Sequence, residues 1–172
     1  MNTNNEIEFV SLLEKNQNIL HKICKLYTSD LDTHKDLFQE MVIQLWKSYP
    51  TFQGNAKFTT WAYRVALNTA ISLFRNKSRK ISTVDWDNSL QNIHYEEYDS
   101  EEEEKLKFLY SAIRQLNDIE KALIFMYLEE KDYSEIAETL GISEVNARVK
   151  MNRIKTKLKT LVNQQGGIKW RI

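Results

Sequence analysis

The sequence predicts an all-α protein: two small helical domains joined by a flexible acidic linker. Three observations carry that expectation. The 172 residues include only 4 Gly and 1 Pro, a scarcity of turn residues that suits helices joined by short loops and not an all-β fold. Apolar residues recur at helical spacing in both halves of the chain. Between the halves, Asp85 to Glu104 carries acids with no lysine or arginine (Asp85, Asp87, Glu96, Glu97, Asp99 and Glu101 to Glu104) and sustains no period.

Hydrophobic residues make up 42% of the chain, so a core can form, and the charged 28% cancels to a formal net charge of +0. The cancellation hides opposed blocks. From Gly141 onward Glu144 is the only acid, against Arg148, Lys150, Arg153, Lys155, Lys157, Lys159, Lys169 and Arg171. Such asymmetry points to a basic, nucleic-acid-facing module beside an acidic segment. A single cysteine, Cys24, excludes an internal disulfide and favours a reducing compartment. The opening MNTNNEIEF has neither a basic n-region nor an apolar h-region, and no apolar run approaches a membrane span. A cytoplasmic protein without membrane insertion is expected.

From Glu6 to about Tyr27, Val10, Leu13, Leu20, Ile23, Cys24 and Tyr27 mark one amphipathic helix. His21 and Cys24 lie one turn apart, but two ligands do not close a zinc site, and the helix reads as a core edge. Asp32 and Thr33 are candidate N-caps for the next helix, Asp36 to Tyr49. Its apolar stripe is Leu37, Phe38, Met41, Val42, Leu45 and Trp46. Its polar face shows Asp36, Gln39, Glu40, Gln44 and Lys47. Asp36 and Glu40 are surface neighbours four residues apart. With no nucleophile or metal motif beside them, they read as a solvated face or as a docking face for a basic partner. Pro50 ends the helix.

A polar loop, Gln53 to Lys57, then opens a helix from Phe58 to Lys80. Phe58, Trp61, Ala62, Val65, Thr69 and Ser72 form one stripe; Tyr63, Ala66, Leu67, Ala70, Ile71 and Phe74 fill much of the rest. A helix apolar nearly all round is central to a bundle or partly covered. Arg64, Asn68 and Arg75 are its polar exceptions, and the helix ends in the cluster Arg75, Lys77, Arg79 and Lys80 without an acid. Aromatics among cations suit a surface that meets phosphates and unstacked bases; a core helix with a solvated basic end has the same composition. Residues 1–80 thus form the first domain and 81–104 the linker.

The second domain spans 105–163. Leu106, Leu109, Ile113 and Leu116 make its first helix amphipathic. Asn117 with Glu120 forms a capping box for a helix to about Glu129. Asp132 and Glu135 begin a short helix that stops at Gly141, and Ser143 caps the last one. A short helix, a Gly-Ile-Ser turn and a long helix make a helix-turn-helix, with Ala137 where the two helices approach. On the last helix Ala147, Met151, Ile154, Leu158 and Leu161 pack inward. Asn146, Val149, Lys150 and Arg153 project outward, flanked by Arg148 and Lys155. These side-chain types pair with base edges in a major groove, and Val suits a thymine methyl. Residues 164–172 form a frayed tail.

Both modules together resemble the sigma-70 family of bacterial RNA polymerase sigma factors, in the small extracytoplasmic-function (group IV) class that keeps only regions 2 and 4. DLFQEMVIQLW resembles region 2.2. FQGNAKFTTWAYRVALNTAISLFRNKSRK is similar to regions 2.3 and 2.4, and YSEIAETLGISEVNARVKMNRIKTKLK to region 4.2. The likeness covers Glu6 to about Val162. Val145 stands where Gly or a small residue is common, and Ala147 and Ile154 replace the usual Val and Ala.

The resemblance implies roles. Asp36, Gln39, Glu40 and Trp46 match positions that dock region 2 on the β′ clamp helices of core RNA polymerase; region 4 meets the β flap. Gly54, Asn55, Ala56, Lys57 and Phe58 match the loop that captures a flipped base of the −10 element, with Trp61, Asn68 and Arg75 on the same melting and recognition helix. Asn146, Arg148, Val149, Lys150 and Arg153 match the helix that reads −35. The linker would thread the polymerase channel, its acidity mimicking nucleic acid. The class usually has an anti-sigma factor as a further partner. No cofactor, metal or catalytic residue is implied, and the sequence holds no Gly-rich phosphate loop, metal-ligand cluster or nucleophile elbow. The competing expectation is an autonomous helix-turn-helix regulator, which explains Asp132 to Val162 but leaves the first module without work.

Overall fold

The computed structural model of the chain describes residues 3–80 and 109–166. The linker at 81–104 and the tail beyond 166 lie outside the described residues. Those described fall into two compact units, one on each side of the linker, with helices and no strand.

The first unit is a three-helix bundle of α1 (Thr3–Tyr27), α2 (Leu31–Ser48) and α3 (Phe58–Lys80), each packed on the other two. Leu20, Ile23, Leu37, Met41, Leu45 and Leu67 are fully buried between them. The expected stripe of α1 holds at Leu20, Ile23, Cys24 and Tyr27, all buried, and shifts only at its N-terminal end. Phe9 is buried, whereas Val10 is 49% exposed. The Phe9 ring meets Trp46 at 5.0 Å and Tyr49 at 5.1 Å, and burying the larger ring turns its neighbour outward.

The cap of α2 is Asp30, not Asp32 or Thr33. Its extended backbone (φ −132°, ψ 160°) brings the carboxylate onto Thr33 N at 2.7 Å and Thr33 Oγ1 at 2.8 Å. The helix therefore starts at Leu31. Asp32 sits in its first turn, where a negative charge complements the helix dipole. Beyond Ser48 the chain tightens into a 3₁₀ turn, Tyr49–Thr51, that contains Pro50.

In α3 the two expected apolar sets exchange importance. Ala62, Tyr63, Ala66, Leu67 and Ala70 are buried; Phe58, Trp61, Val65 and Thr69 are half-buried and Ser72 is exposed. Alanines at 62, 66 and 70 repeat every turn and let α1 and α2 approach, so the bulkier set is left at the edge.

The second unit comprises helical residues 109–114 (α4), α5 (Asp118–Leu128), α6 (Tyr133–Leu140) and α7 (Glu144–Gly166). The Asn117–Glu120 capping box forms with both reciprocal bonds. Five consecutive residues of α5, Ala122 to Met126, are buried, so it is the central helix. Asp132 caps α6 by accepting from Glu135 N at 2.7 Å. Gly141 ends α6 in the left-handed region at φ +66°, a conformation that favours glycine. Ala137 and Ala147, both buried, stand on the packed helices α6 and α7. On α7, Ala147, Met151, Ile154 and Leu158 face the core; Val162 is buried where Leu161 was expected to be. The helix also continues through Gln164 and Gln165, good helix formers, into residues expected to fray.

Candidate docking face and nucleic-acid interface

The buried stripe of α2 fixes what its other side presents. Asp36 and Gln39 are exposed, while Glu40 and Trp46 are half-buried. Glu40 accepts from Gln44 Nε2 at 2.7 Å, which holds its carboxylate in one orientation. Trp46 leans on Phe9 and shows only part of its ring. Within this face stands Ile43, 43% exposed. The sequence reading assigned Ile43 to neither face. Its position between Gln39 and Lys47, one turn from each, is the signal that places it. Asp36, Gln39 and Glu40 thus make a polar, acidic rim beside an apolar spot of Ile43 and part of Trp46.

Loop 53–57 is exposed throughout. Gly54 sits at φ +72° with open space where a Cβ would be, so the requirement for glycine is one of backbone conformation, not room. Asn55 Nδ2 donates to Gln53 Oε1 at 3.3 Å. Aromatic rings support the base of the loop. Phe52 meets Phe58 at 5.9 Å and Trp61 at 5.1 Å, and Phe58 meets Trp61 at 5.4 Å. Tyr49 joins these rings to Phe9, and so to Trp46. Phe58 and Trp61 are therefore parts of a packed cluster with partly accessible rings, not free stacking platforms.

Beside them a groove of about 680 Å³ runs between α2 and α3, within the range of small-ligand sites. Glu40, Gln44 and Ser48 line one side; Trp61, Arg64 and Asn68 line the other. Residues expected separately to dock polymerase and to meet nucleic acid thus face one another across this groove. Arg75 is exposed further along α3.

His21 finds a different neighbour from the one its spacing suggests. Its Nδ1 lies 3.3 Å from His34 Nε2, and its ring stacks on Phe38 at 4.6 Å. Cys24 is buried and its thiol is pushed up to about 12 by desolvation. Among the described residues no group of three or more His, Cys, Asp and Glu is placed to hold a metal ion. Burial lowers the His34 pKa from its ordinary 6.5, and the charges of His21 and Lys25 lower it further. The unfolded chain takes up this proton at about 6.5 and the folded chain resists it, so stability is present above 6.5 and is lost as pH falls below it. The thermal midpoint of the first unit accordingly drops between pH 7 and 5, about as the difference in bound protons dictates, and His34→Gln flattens the profile.

On α7, Ser143 Oγ accepts from Asn146 N at 3.2 Å. Asn146, Val149 and Arg153 are exposed and Lys150 is half-buried. Arg148 is engaged within the unit: its guanidinium bonds Glu144 through Nε and Nη2 and lies 4.5 Å from the Tyr133 ring centre. Lys155 donates to the Tyr127 hydroxyl at 2.9 Å and Lys157 meets Glu120 at 2.9 Å. So the half of the basic set that flanks the helix is occupied by α5 and α6. Arg148 and Glu144 are neighbours one turn apart on α7, but the ties to Tyr133, Tyr127 and Glu120 were invisible in the sequence, because they join residues far apart along the chain.

Residues 12–80 match sigma-70 region 2 and residues 109–158 match sigma-70, region 4. The chain is 29% identical over 154 residues to the ECF RNA polymerase sigma-E factor of Haemophilus influenzae, covering 82% of this chain and 81% of that protein. It is 27% identical over 143 residues to the ECF RNA polymerase sigma factor SigX of Bacillus subtilis, covering 78% and 73%. In fold it resembles the sigma factor RpoE solved with the anti-sigma factor NepR from Bartonella quintana, at TM-score 0.71 and 16% identity over 92% of this chain and 99% of that one. CnrH, solved with the cytosolic domain of CnrY, gives TM-score 0.66 at 17% identity over 94% and 91%. Among the described residues no helix is long and apolar enough to cross a membrane.

Proposed function

The chain belongs to the sigma-70 family of RNA polymerase sigma factors, in its extracytoplasmic-function class, and from that premise we propose how it directs transcription initiation. As an alternative sigma factor it binds core RNA polymerase. The outer face of α2 docks on the β′ clamp helices: Asp36, Gln39 and Glu40 meet basic polymerase residues and Ile43 with Trp46 supplies the apolar contact. The second unit meets the β flap and reads the −35 element as duplex through α7, using Asn146, Val149, Lys150 and Arg153. Arg148 joins them at a phosphate only by leaving Glu144.

Loop Gly54 to Lys57 captures a base of the −10 element, with Phe58 and Trp61 as its aromatic floor and Asn68 and Arg75 along the strand. Extruding one base costs a few kcal/mol, which stacking and hydrogen bonding in such a pocket offset. An anti-sigma factor is the expected regulator, because the sigma factor RpoE, of like fold, was solved with the anti-sigma factor NepR, and CnrH with the cytosolic domain of CnrY.

The observation that carries this reading is the presence of both region matches, in family order, in one chain. A gel shift with promoter duplex tests it. The chain with core polymerase retards the fragment, and the chain alone at the same concentration does not. Tight duplex binding without polymerase would make it an autonomous helix-turn-helix regulator.

A further inference from the structure

The most exposed apolar side chains of the second unit include two on the helix assigned to −35 reading. Val145 is 72% exposed and Val149 44% exposed. At about 3.6 residues per turn, the direction opposite the buried stripe Ala147, Met151, Ile154 and Leu158 holds Val145, Val149, Asn152 and Thr156, all exposed. The two valines stand one turn apart at the N-terminal half of that ridge. This is the half of a recognition helix that enters the major groove. Asn146 and Arg153 lie along one side of it, so the apolar ridge is bordered by base- and phosphate-binding groups.

Two valines on the outermost line of a surface helix leave much of their apolar surface outside the core. In the major groove the one apolar feature on a base edge is the C5-methyl of thymine. We infer that Val145 and Val149 together read the methyl groups of two thymines in the −35 duplex. This inference rests on the proposed reading of −35 by α7 and names the base chemistry it selects. The spacing fits. Side chains at i and i+4 stand about 5–6 Å apart at Cβ, and successive base pairs rise about 3.4 Å, so the two thymines lie within two base pairs of each other. The neighbouring Asn146 and Arg153 supply the hydrogen bonds that fix the register, and the valines add an apolar contact that only the thymine methyl offers.

The test uses the chain assembled with core polymerase on a promoter found by start-site mapping. Synthetic duplexes carry deoxyuridine, which lacks only the methyl, in place of each −35 thymine in turn; the rest of the promoter is unchanged. The wild-type holoenzyme loses about fourfold in affinity at each of two thymines within two base pairs, and about fifteenfold when both are replaced. A Val145→Ala, Val149→Ala double variant, altered only at exposed positions, binds thymine and uracil duplexes alike. The single variants each abolish one of the two sensitivities.

Equal binding of both duplexes by the wild type, with −35 preference otherwise intact, overturns the inference and leaves −35 reading standing. Retention of the full thymine preference by the double variant overturns it as well. Indifference of the wild type to any change in the −35 sequence overturns the underlying reading and the inference with it.

Discussion

An Asp36→Arg, Glu40→Arg double variant loses core-polymerase binding, by more than about a hundredfold, while both units stay folded. The two carboxylates occupy the rim of the α2 outer face, Asp36 exposed and Glu40 held by Gln44. Neither contributes to the buried stripe of Leu37, Met41 and Leu45, so their replacement leaves the bundle intact. On the proposed docking, reversing these two charges against basic polymerase groups turns attraction into like-charge contact, which costs several kcal/mol, and each 1.4 kcal/mol is tenfold in affinity. Glu40→Gln isolates the charge from the hydrogen bond with Gln44 and falls between the wild type and the double variant. Co-purification with core enzyme reads the effect, and far-ultraviolet circular dichroism checks the fold. Undiminished co-purification would remove α2 from the docking surface.

The second large effect is on stability. Met151→Ala unfolds the second unit at physiological temperature and spares the first. Met151 is fully buried on α7, between the helix-turn-helix and the central α5. Truncating a buried methionine costs roughly 2–5 kcal/mol, and a unit of this size has little more than that to lose. Met151→Leu, which keeps the volume, costs under about 1.5 kcal/mol. Amide hydrogen exchange separates the two units: protection vanishes across α5 to α7 in the alanine variant and persists across α1 to α3. In the holoenzyme this variant keeps polymerase and loses −35 selectivity.

What the sequence made legible follows from which forces are local. The caps Asn117, Asp132 and Ser143, the glycine stop at Gly141 and the inward stripe of α7 from Ala147 to Leu158 all act within one turn of the chain, and each stands where the spacing placed it. The misplaced features depend on contacts between helices. Val10 yields to Phe9 because Trp46 and Tyr49, some forty residues on, offer rings to pack against. Asp30 displaces Asp32 as the cap through a backbone conformation set in the α1–α2 turn. The His21–His34 pair, the shared α2–α3 groove and the ties of Arg148 to Tyr133 and Lys155 to Tyr127 join residues that no local period links. For the surfaces, the residue types were legible and their accessibility was not. Ile43 and Val145 became visible only once the buried faces of α2 and α7 were known.

The measurement that bears most directly on the central claim is transcription in vitro from a library of genomic fragments, with core polymerase in the presence and absence of the chain. Added to core enzyme, the chain yields defined start sites that share an upstream duplex element and a −10 element, and the Asp36→Arg, Glu40→Arg variant yields none. No chain-dependent start sites, or start sites that do not share promoter elements, would contradict its action as a promoter-specificity subunit.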